Sequence, residues 1–343
     1  MRKTFLTLKG KKTFGFISIG NLLAPMLGGM LYNKGGLAGV FGLSFTVLVV
    51  DFIMRVLVIE VKVAHRYKPI DSSVSDPLIP TVDQLQAEVT DEEQEEGSNE
   101  FPSLVRDREY GEESYQLSSN LLKIMRIVPI LPCLADPRLV TALLISFVQA
   151  MLLGSIDATV PVVSQEYYNF SSLQAGLMFL PIGIANLIFG PLLGWCVDRF
   201  GTKKVAVLVY LYLVPILFSF RLVKPGGVYQ IAVYETLLAL AGIGIAGMGA
   251  PSVVEASTVV QKYHQANLDF FGDYGPYAQL YSLSYLFFSL GLTIGSELAG
   301  GLRQKIGYGN MNAVLAAICA LTALTCFLFI GGKSKIVGQR SIA

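Results

Sequence analysis

The chain has 343 residues, 53% of them hydrophobic and only 15% charged, with a formal net charge of +1. So apolar a composition excludes a soluble or disordered protein of this length and points to an all-α integral membrane protein. The net charge hides a segregation, with acids in one loop and bases at the ends of apolar runs, and it gives no reason to invoke nucleic acid.

Met1 to Lys12 is basic, and an apolar run from Thr13 to Tyr32 follows. A signal peptide has an apolar region of about 7 to 15 residues and a small-residue cleavage site. This run is longer and ends in Gly-Gly-Met-Leu-Tyr, so it is expected to span the bilayer from a cytoplasmic start. A turn at Asn33 to Gly36 leads into a second span, Leu37 to about Glu60. Gly20, Ala24, Pro25, Gly28 and Gly29 give the first span a flat, bendable face for another helix. Asp51 and Arg55 lie four apart on the second. A charge near mid-membrane invites a functional reading, but a local ion pair close to the cytoplasmic end accounts for both residues and is the preferred one.

Residues 61–136 change character, with Asp91, Glu92, Glu93, Glu95 and Glu96 among Ser, Gln and Pro. They read as an acidic, disordered cytoplasmic linker whose last apolar stretch, Leu121 to Leu134, is expected to lie along the membrane surface as an amphipathic segment. Residues 137–332 hold six apolar runs, about Leu139 to Val163, Leu173 to Val197, Val205 to Val223, Tyr229 to Val253, Tyr277 to Leu302 and Met311 to Gly332. Short connectors make consecutive spans antiparallel neighbours. Arg199, Lys203, Lys204, Lys262, Lys333, Lys335 and Arg340 gather at one set of ends, against Lys34, Lys224, Arg303 and Lys305 at the other. The positive-inside rule places the first set in the cytoplasm with both termini, including the tail 333–343.

The turn from Gly190 to Lys204 organises the rest. Glycine at 201 supplies a conformation costly to residues with a Cβ, Asp198 offers an acceptor for helix N-terminal amides, and Arg199, Lys203 and Lys204 mark the cytoplasmic side. The pattern Gly194-x-x-x-Asp198-Arg199-x-Gly201-x-Lys203-Lys204 resembles the loop signature of the major facilitator superfamily. The resemblance implies that fold with about eight spans present, the fifth to the twelfth, and hence an N-terminally incomplete copy. Residues 1–60 would be the last two spans of the N-terminal bundle, and 137–332 the six-span C-terminal bundle. Gly20, Ala24, Pro25, Gly28 and Gly29 resemble the Gly-Pro-Gly-Gly signature of the fifth span in proton-coupled antiporters, with Ala24 where glycine is usual. With Asp51-Phe-Ile-Met-Arg55, they make the chain look most like fungal vesicular amine transporter-like and multidrug:proton antiporters. Gly291, Gly295, Ser296, Gly300 and Gly301 echo the same signature in the other half, as expected of related halves. The resemblance also implies a latch in which Asp198 faces the start of the first span at Lys11 to Phe14.

Counting rise per residue from the expected ends places Asp157, Glu235 and Glu297 in the outer thirds of their spans. Carboxylates in hydrocarbon normally face a cavity, and desolvation lifts them towards a range where a proton is gained and lost. One carboxylate that holds either a proton or an organic cation is what proton-for-cation exchange needs. Glu235 and Glu297 also have a hydrated, interfacial reading. Asp157 follows Gln149, Gly154 and Ser155 and precedes Pro161, a polar and breakable stretch, so it is the first candidate. Tyr277, Tyr281, Tyr285 and Phe288 form a stripe that can stack on a cationic substrate or simply pack against a helix. Gly242, Gly244, Gly247, Gly249 and Pro251 make their span either a deformable gate or a packing surface. Asn169-Phe170-Ser171 is a glycosylation sequon close to the membrane on the expected outer side.

Cys133, Cys196, Cys319 and Cys326 lack C-x-x-C spacing, and the only histidines are His65 and His264. No metal, cofactor or nucleophile constellation is indicated, and the chain is not expected to be an enzyme. The expectation is a proton-coupled antiporter exporting organic cations or drugs by alternating access, in a plasma or a vacuolar or vesicular membrane. Its partners would be a small-molecule substrate, protons and the lipid bilayer. The alternative is a truncated, non-transporting membrane protein that binds or regulates a partner such as a full-length relative.

Overall fold

A computed structural model describes residues 2–57, 115–117, 128–272 and 275–331, with the side chains of 2–19, 21 and 22 excepted. Its regular elements are all helical: α1 (Arg2–Leu57), α2 (Pro137–Tyr168), α3 (Ser172–Leu177), α4 (Leu180–Phe200), α5 (Thr202–Ser219), α6 (Val228–Ala266), α7 (Leu268–Phe271), α8 (Tyr277–Ile306) and α9 (Tyr308–Phe329), with short 3-10 turns at Pro132–Ala135 and Phe220–Leu222. Among the described residues seven stretches are long and apolar enough to cross a bilayer: Leu23–Leu57, Pro137–Tyr168, Ser172–Phe200, Thr202–Leu222, Val228–Ala266, Tyr277–Ile306 and Tyr308–Phe329.

The first of these, 35 residues long, exceeds the roughly 20 residues that one crossing needs. It covers the end of the first span expected there and most of the second, and Gly36, whose φ is 58° and ψ −153°, breaks the helix at the expected turn. A Cβ on Gly39 would come within 3.2 Å of the Leu31 carbonyl oxygen. Continuous helix would hold those residues about 12 Å apart, so the chain doubles back. The chain divides into two compact units, 1–40 with 116–343, and 41–115. In the second unit, Arg55 Nε donates to Asp51 Oδ2 at 2.8 Å on an exposed helix face. That contact is the local ion pair. The acidic run 91–96 and residues 121–127 lie outside the described residues.

In the first unit the pairings α2 with α8, α6 with α4 and α9 with α5 are the most extensive. Local chemistry starts and stops these helices. Asp136 caps α2, accepting from Arg138 N at 2.8 Å ahead of Pro137, and Asn169 ends it in the left-handed region at φ 53°. Ser171 and Gln174 then form a capping box that starts α3. The run expected from Leu173 to Val197 is interrupted after Leu177, because Pro181 in the first turn of α4 cannot continue the ladder.

Helices α2 and α8 are parallel and touch through their backbones. Cβ atoms on Gly154, Gly291 and Gly295 would collide with the Leu292, Phe147 and Met151 carbonyls, and Ser155 Oγ donates to Gly295 O at 3.1 Å. At one end of this pair Arg303 binds Glu166. That contact neutralises a base that runs against the charge asymmetry of the helix ends. A second apolar cluster at the opposite end gathers Leu139, Ala142, Val259, Val260 and Leu280 around Ile130 and Cys133. The described end of the stretch expected at the membrane surface is therefore buried in the bundle.

Candidate functional site

Two regions carry ionisable side chains in unusual settings. The first is the end of the bundle that bears Arg199, Lys203 and Lys204, called here the basic end. Helix α4 passes directly into α5 through Gly201, whose φ of 87° favours glycine. Asp198 is exposed on the last turn of α4, and α5 has no side-chain cap. The partner expected for Asp198, at Lys11 to Phe14, has side chains outside the described residues. Arg199 lies over the Trp195 ring at 5.9 Å and Lys203 over the Phe327 ring at 5.1 Å, so these bases stand on aromatic faces.

Beside this turn is a buried ion pair. Glu255 on α6 is 2% exposed and Arg138 on α2 is 8% exposed. Arg138 Nε and Nη2 donate to Glu255 Oε1 at 2.9 and 2.6 Å, and Gly331 N donates to the same oxygen at 3.3 Å. Thr202 Oγ1 donates to Oε2 at 2.7 Å. A buried carboxylate is tolerable only when paired and hydrogen-bonded, and here both oxygens are engaged. A cleft of about 450 Å³ opens next to the pair, with Asp198, Gly201 and Thr202 on one side and Val254, Thr258 and Lys262 on the other. Burial holds the Asp136 carboxyl above its usual range, although Arg138 N donates to it. Burial also pushes the Cys133 thiol up to about 12.

Neither Arg138 nor Glu255 was singled out by the sequence reading, which ends this span at Val253. Helix α6 runs on to Ala266. The signal lies in Ala256, Val259 and Val260, whose spacing continues one helical face past Pro251 and places Glu255 inside a helix.

The second region is the other half of the bundle. Ser296 Oγ donates to Gly154 O at 3.2 Å, which fixes the register of α2 on α8. Asp157 and Glu297 therefore lie within roughly one turn of each other in depth. Both are exposed, and Glu235 on α6 is half-buried. Depth is shared, but direction is not. Glu297 stands two residues from Gly295, and at about 100° per residue it points away from α2. Gln149 reaches from α2 to Ile245 O on α6 at 3.5 Å, beside Gly249. The tyrosine stripe on α8 divides. Tyr277 packs edge-on against His264, whereas Tyr281 and Tyr285 stay 54% and 73% exposed, with the Tyr285 ring stacked on Phe288. Asn169 is exposed, and the Ser171 hydroxyl of its sequon is engaged in the capping box.

The glycines of α6 meet different neighbours: Gly242 faces Ile182 and Ala185, Gly244 faces Leu213, and Gly247 faces Val209 and Leu193. Packing accounts for these three. In the antiporter-type signature the contact is made by Pro25 and Gly29, which meet α3 at Gly176 and Ser172, while Gly20 and Gly28 are open and Ala24 is exposed. Of the echo on α8, Gly291 and Gly295 pack and Gly300 and Gly301 are open. Inside the bundle, the void bounded by Leu152, Ser155, Thr159, Ile245 and Tyr308 amounts to about 10 Å³, room for a single water at most. A small organic molecule needs hundreds of Å³.

A family model described as Major Facilitator Superfamily matches residues 14–268. The MFS-type transporter ppzB of Metarhizium rileyi is 41% identical over 331 residues, which is 93% of this chain and 67% of that protein. The ppzB protein of Metarhizium majus is 43% identical over 333 residues, 94% of this chain and 71% of its own length. An uncharacterized MFS-type transporter of Schizosaccharomyces pombe, C18.02, is 30% identical over 317 residues, with 92% and 65% covered. The chain thus spans about two thirds of the length of these relatives.

Proposed function

We propose, for a chain that belongs to the Major Facilitator Superfamily of membrane transporters, that it acts in proton-coupled exchange of organic cations, with Asp157 as the exchanging carboxylate. The observation that carries this reading is the setting of Asp157. It is exposed on an apolar helix, beside the tight α2 and α8 contact, on a bundle whose interior void is too small for a substrate. Near Asp157 the room for a substrate is on the open face of the helix, not in that void. A carboxylate on such a face, shielded from bulk water by lipid and a facing bundle, binds a proton or an organic cation but not both. Tyr281 and Tyr285 offer open aromatic faces on the neighbouring helix, suited to a cation. Gln149 adds a polar contact between α2 and α6. Rocking of one bundle against another about such a site is the alternating-access scheme.

The test is uptake of a fluorescent organic cation into vesicles carrying the protein, driven by an imposed pH gradient. Asp157→Asn keeps the shape and removes the titration, so it should abolish gradient-driven uptake while membrane insertion and amount are unchanged. Undiminished uptake in Asp157→Asn overturns the assignment of Asp157. Absence of uptake by the parent chain favours the partner-binding alternative.

A further inference from the structure

We infer that Glu297 is a cation-attracting site, reached by water along a polar face of α8 and distinct from Asp157. This inference rests on α8 as a membrane-spanning helix and is independent of proton coupling and of what Asp157 binds.

At about 100° per residue, Ser282, Leu286, Ser289, Thr293, Glu297 and Gln304 fall within about 80° of one another around the axis of α8. Each is exposed, and only Leu286 among them is apolar. The other exposed positions between 281 and 294 are Tyr281, Tyr285, Leu290, Leu292 and Ile294, which lie to either side of that line. The open surface of the helix is thus a polar strip with apolar and aromatic flanks. Lipid suits the flanks, whereas a carboxylate in a membrane span faces a partner or water.

Depth makes the distinction matter. Helix α8 is 30 residues long, about 45 Å, and a hydrocarbon core of about 30 Å centred on it holds Glu297 roughly 6 Å inside its edge. The hydroxyls of the strip are satisfied within the helix, since Ser282 Oγ donates to Ala278 O at 2.9 Å and Thr293 Oγ1 to Ser289 O at 3.1 Å. A carboxylate has no proton to return in that way. Arg303 is taken by Glu166, and no ion pair among the described residues includes Glu297. Lys305 stands about 12 Å further along the axis. Water is therefore the partner of Glu297, and the polar strip is its route. A single carboxylate on a wet strip between low-dielectric flanks concentrates cations there.

The test needs no transport. The full chain carrying Cys196→Ser is expressed in membranes, which are opened as fragments so that both faces are reached. Cys133, Cys319 and Cys326 are buried, and the chain with no added cysteine gives the blank. Cysteine is placed in turn at Leu292, Thr293 and Ile294, three neighbours at nearly one depth that fan out around the axis. A membrane-impermeant cationic methanethiosulfonate, which is excluded from lipid, should label Thr293→Cys about tenfold faster than Leu292→Cys or Ile294→Cys. Ser289→Cys should behave like Thr293→Cys. The ratio of cationic to anionic reagent rates at Thr293→Cys should then fall about tenfold in Glu297→Gln at low ionic strength. A charge one turn away, about 6 Å in water, changes the local concentration of each reagent about threefold and with opposite sign. Glu297→Asp should keep the ratio. Equal labelling at 292, 293 and 294 overturns the wet strip, and an unchanged ratio in Glu297→Gln overturns the cation site. Both readouts stand whether or not Asp157→Asn alters uptake, so failure here and failure of the Asp157 assignment are told apart.

Discussion

At the basic end, Glu255 accepts from Arg138, Thr202 and Gly331 and is 2% exposed. In the other half of the bundle Asp157 sits on the exposed face of α2. Both are carboxylates in apolar helices, yet their surroundings differ. Glu255 is held by hydrogen bonds from three separate parts of the chain. On the proposed reading one acid holds helices together and the other exchanges its proton, and the two are kept apart in depth and in bonding.

The sharpest way to break this comparison is to remove one partner at the basic end. Glu255→Leu takes from the buried Arg138 guanidinium the carboxylate that accepts two of its hydrogen bonds, and breaking a buried pair from one side should cost about 3–5 kcal/mol. Thermal unfolding of the detergent-solubilised chain should show a large loss. Arg138→Met should do the same. The double variant Arg138→Met with Glu255→Leu removes both charges and should recover most of the loss, since a buried pair often contributes little net stability. A double variant as unstable as either single one would mean that the pair itself, rather than charge compensation, holds that end.

A smaller effect is expected where helices touch through glycine. Gly295→Val places two methyl groups against the Met151 backbone, and overpacking of this kind costs about 1–3 kcal/mol. Gly301, on the same helix, has nothing within 4 Å of a built Cβ, so Gly301→Val should leave the melting temperature close to the parent's. Equal effects at 295 and 301 would show that helix propensity, and not the α2–α8 contact, is being measured.

These positions also show what could be read from the residues. The break at Gly36 and the joint at Gly201 follow from glycine placement between apolar runs, and the structure has them there. The ion pair did not follow. Arg138 and Glu255 are 117 residues apart, and long-range pairing has no local signature. Hydropathy also ends the α6 span at Val253, whereas the helix continues 13 residues to Ala266 on the strength of tertiary packing by Ala256, Val259 and Val260. The shared depth of Asp157 and Glu297 was legible, because it needs only a count of residues. The directions of those two depend on which face each helix buries, and that is set by neighbours such as Gly154 and Gly295.

The smallest stability effect is expected at Asp157 itself, and it bears most on the comparison. Asp157→Asn exchanges a carboxylate for an amide of nearly the same shape on an exposed face of α2, so unfolding should shift by no more than about 0.5 kcal/mol. Coupled with loss of gradient-driven uptake, such a near-zero shift would separate function from folding at one residue. The opposite outcome is equally informative. A loss approaching that of Glu255→Leu would mean that the Asp157 carboxylate is held by bonds of its own, and an acid held in that way is poorly placed to exchange a proton for a cation. The two carboxylates would then be alike, and the division of labour between the ends of the bundle would have to be abandoned.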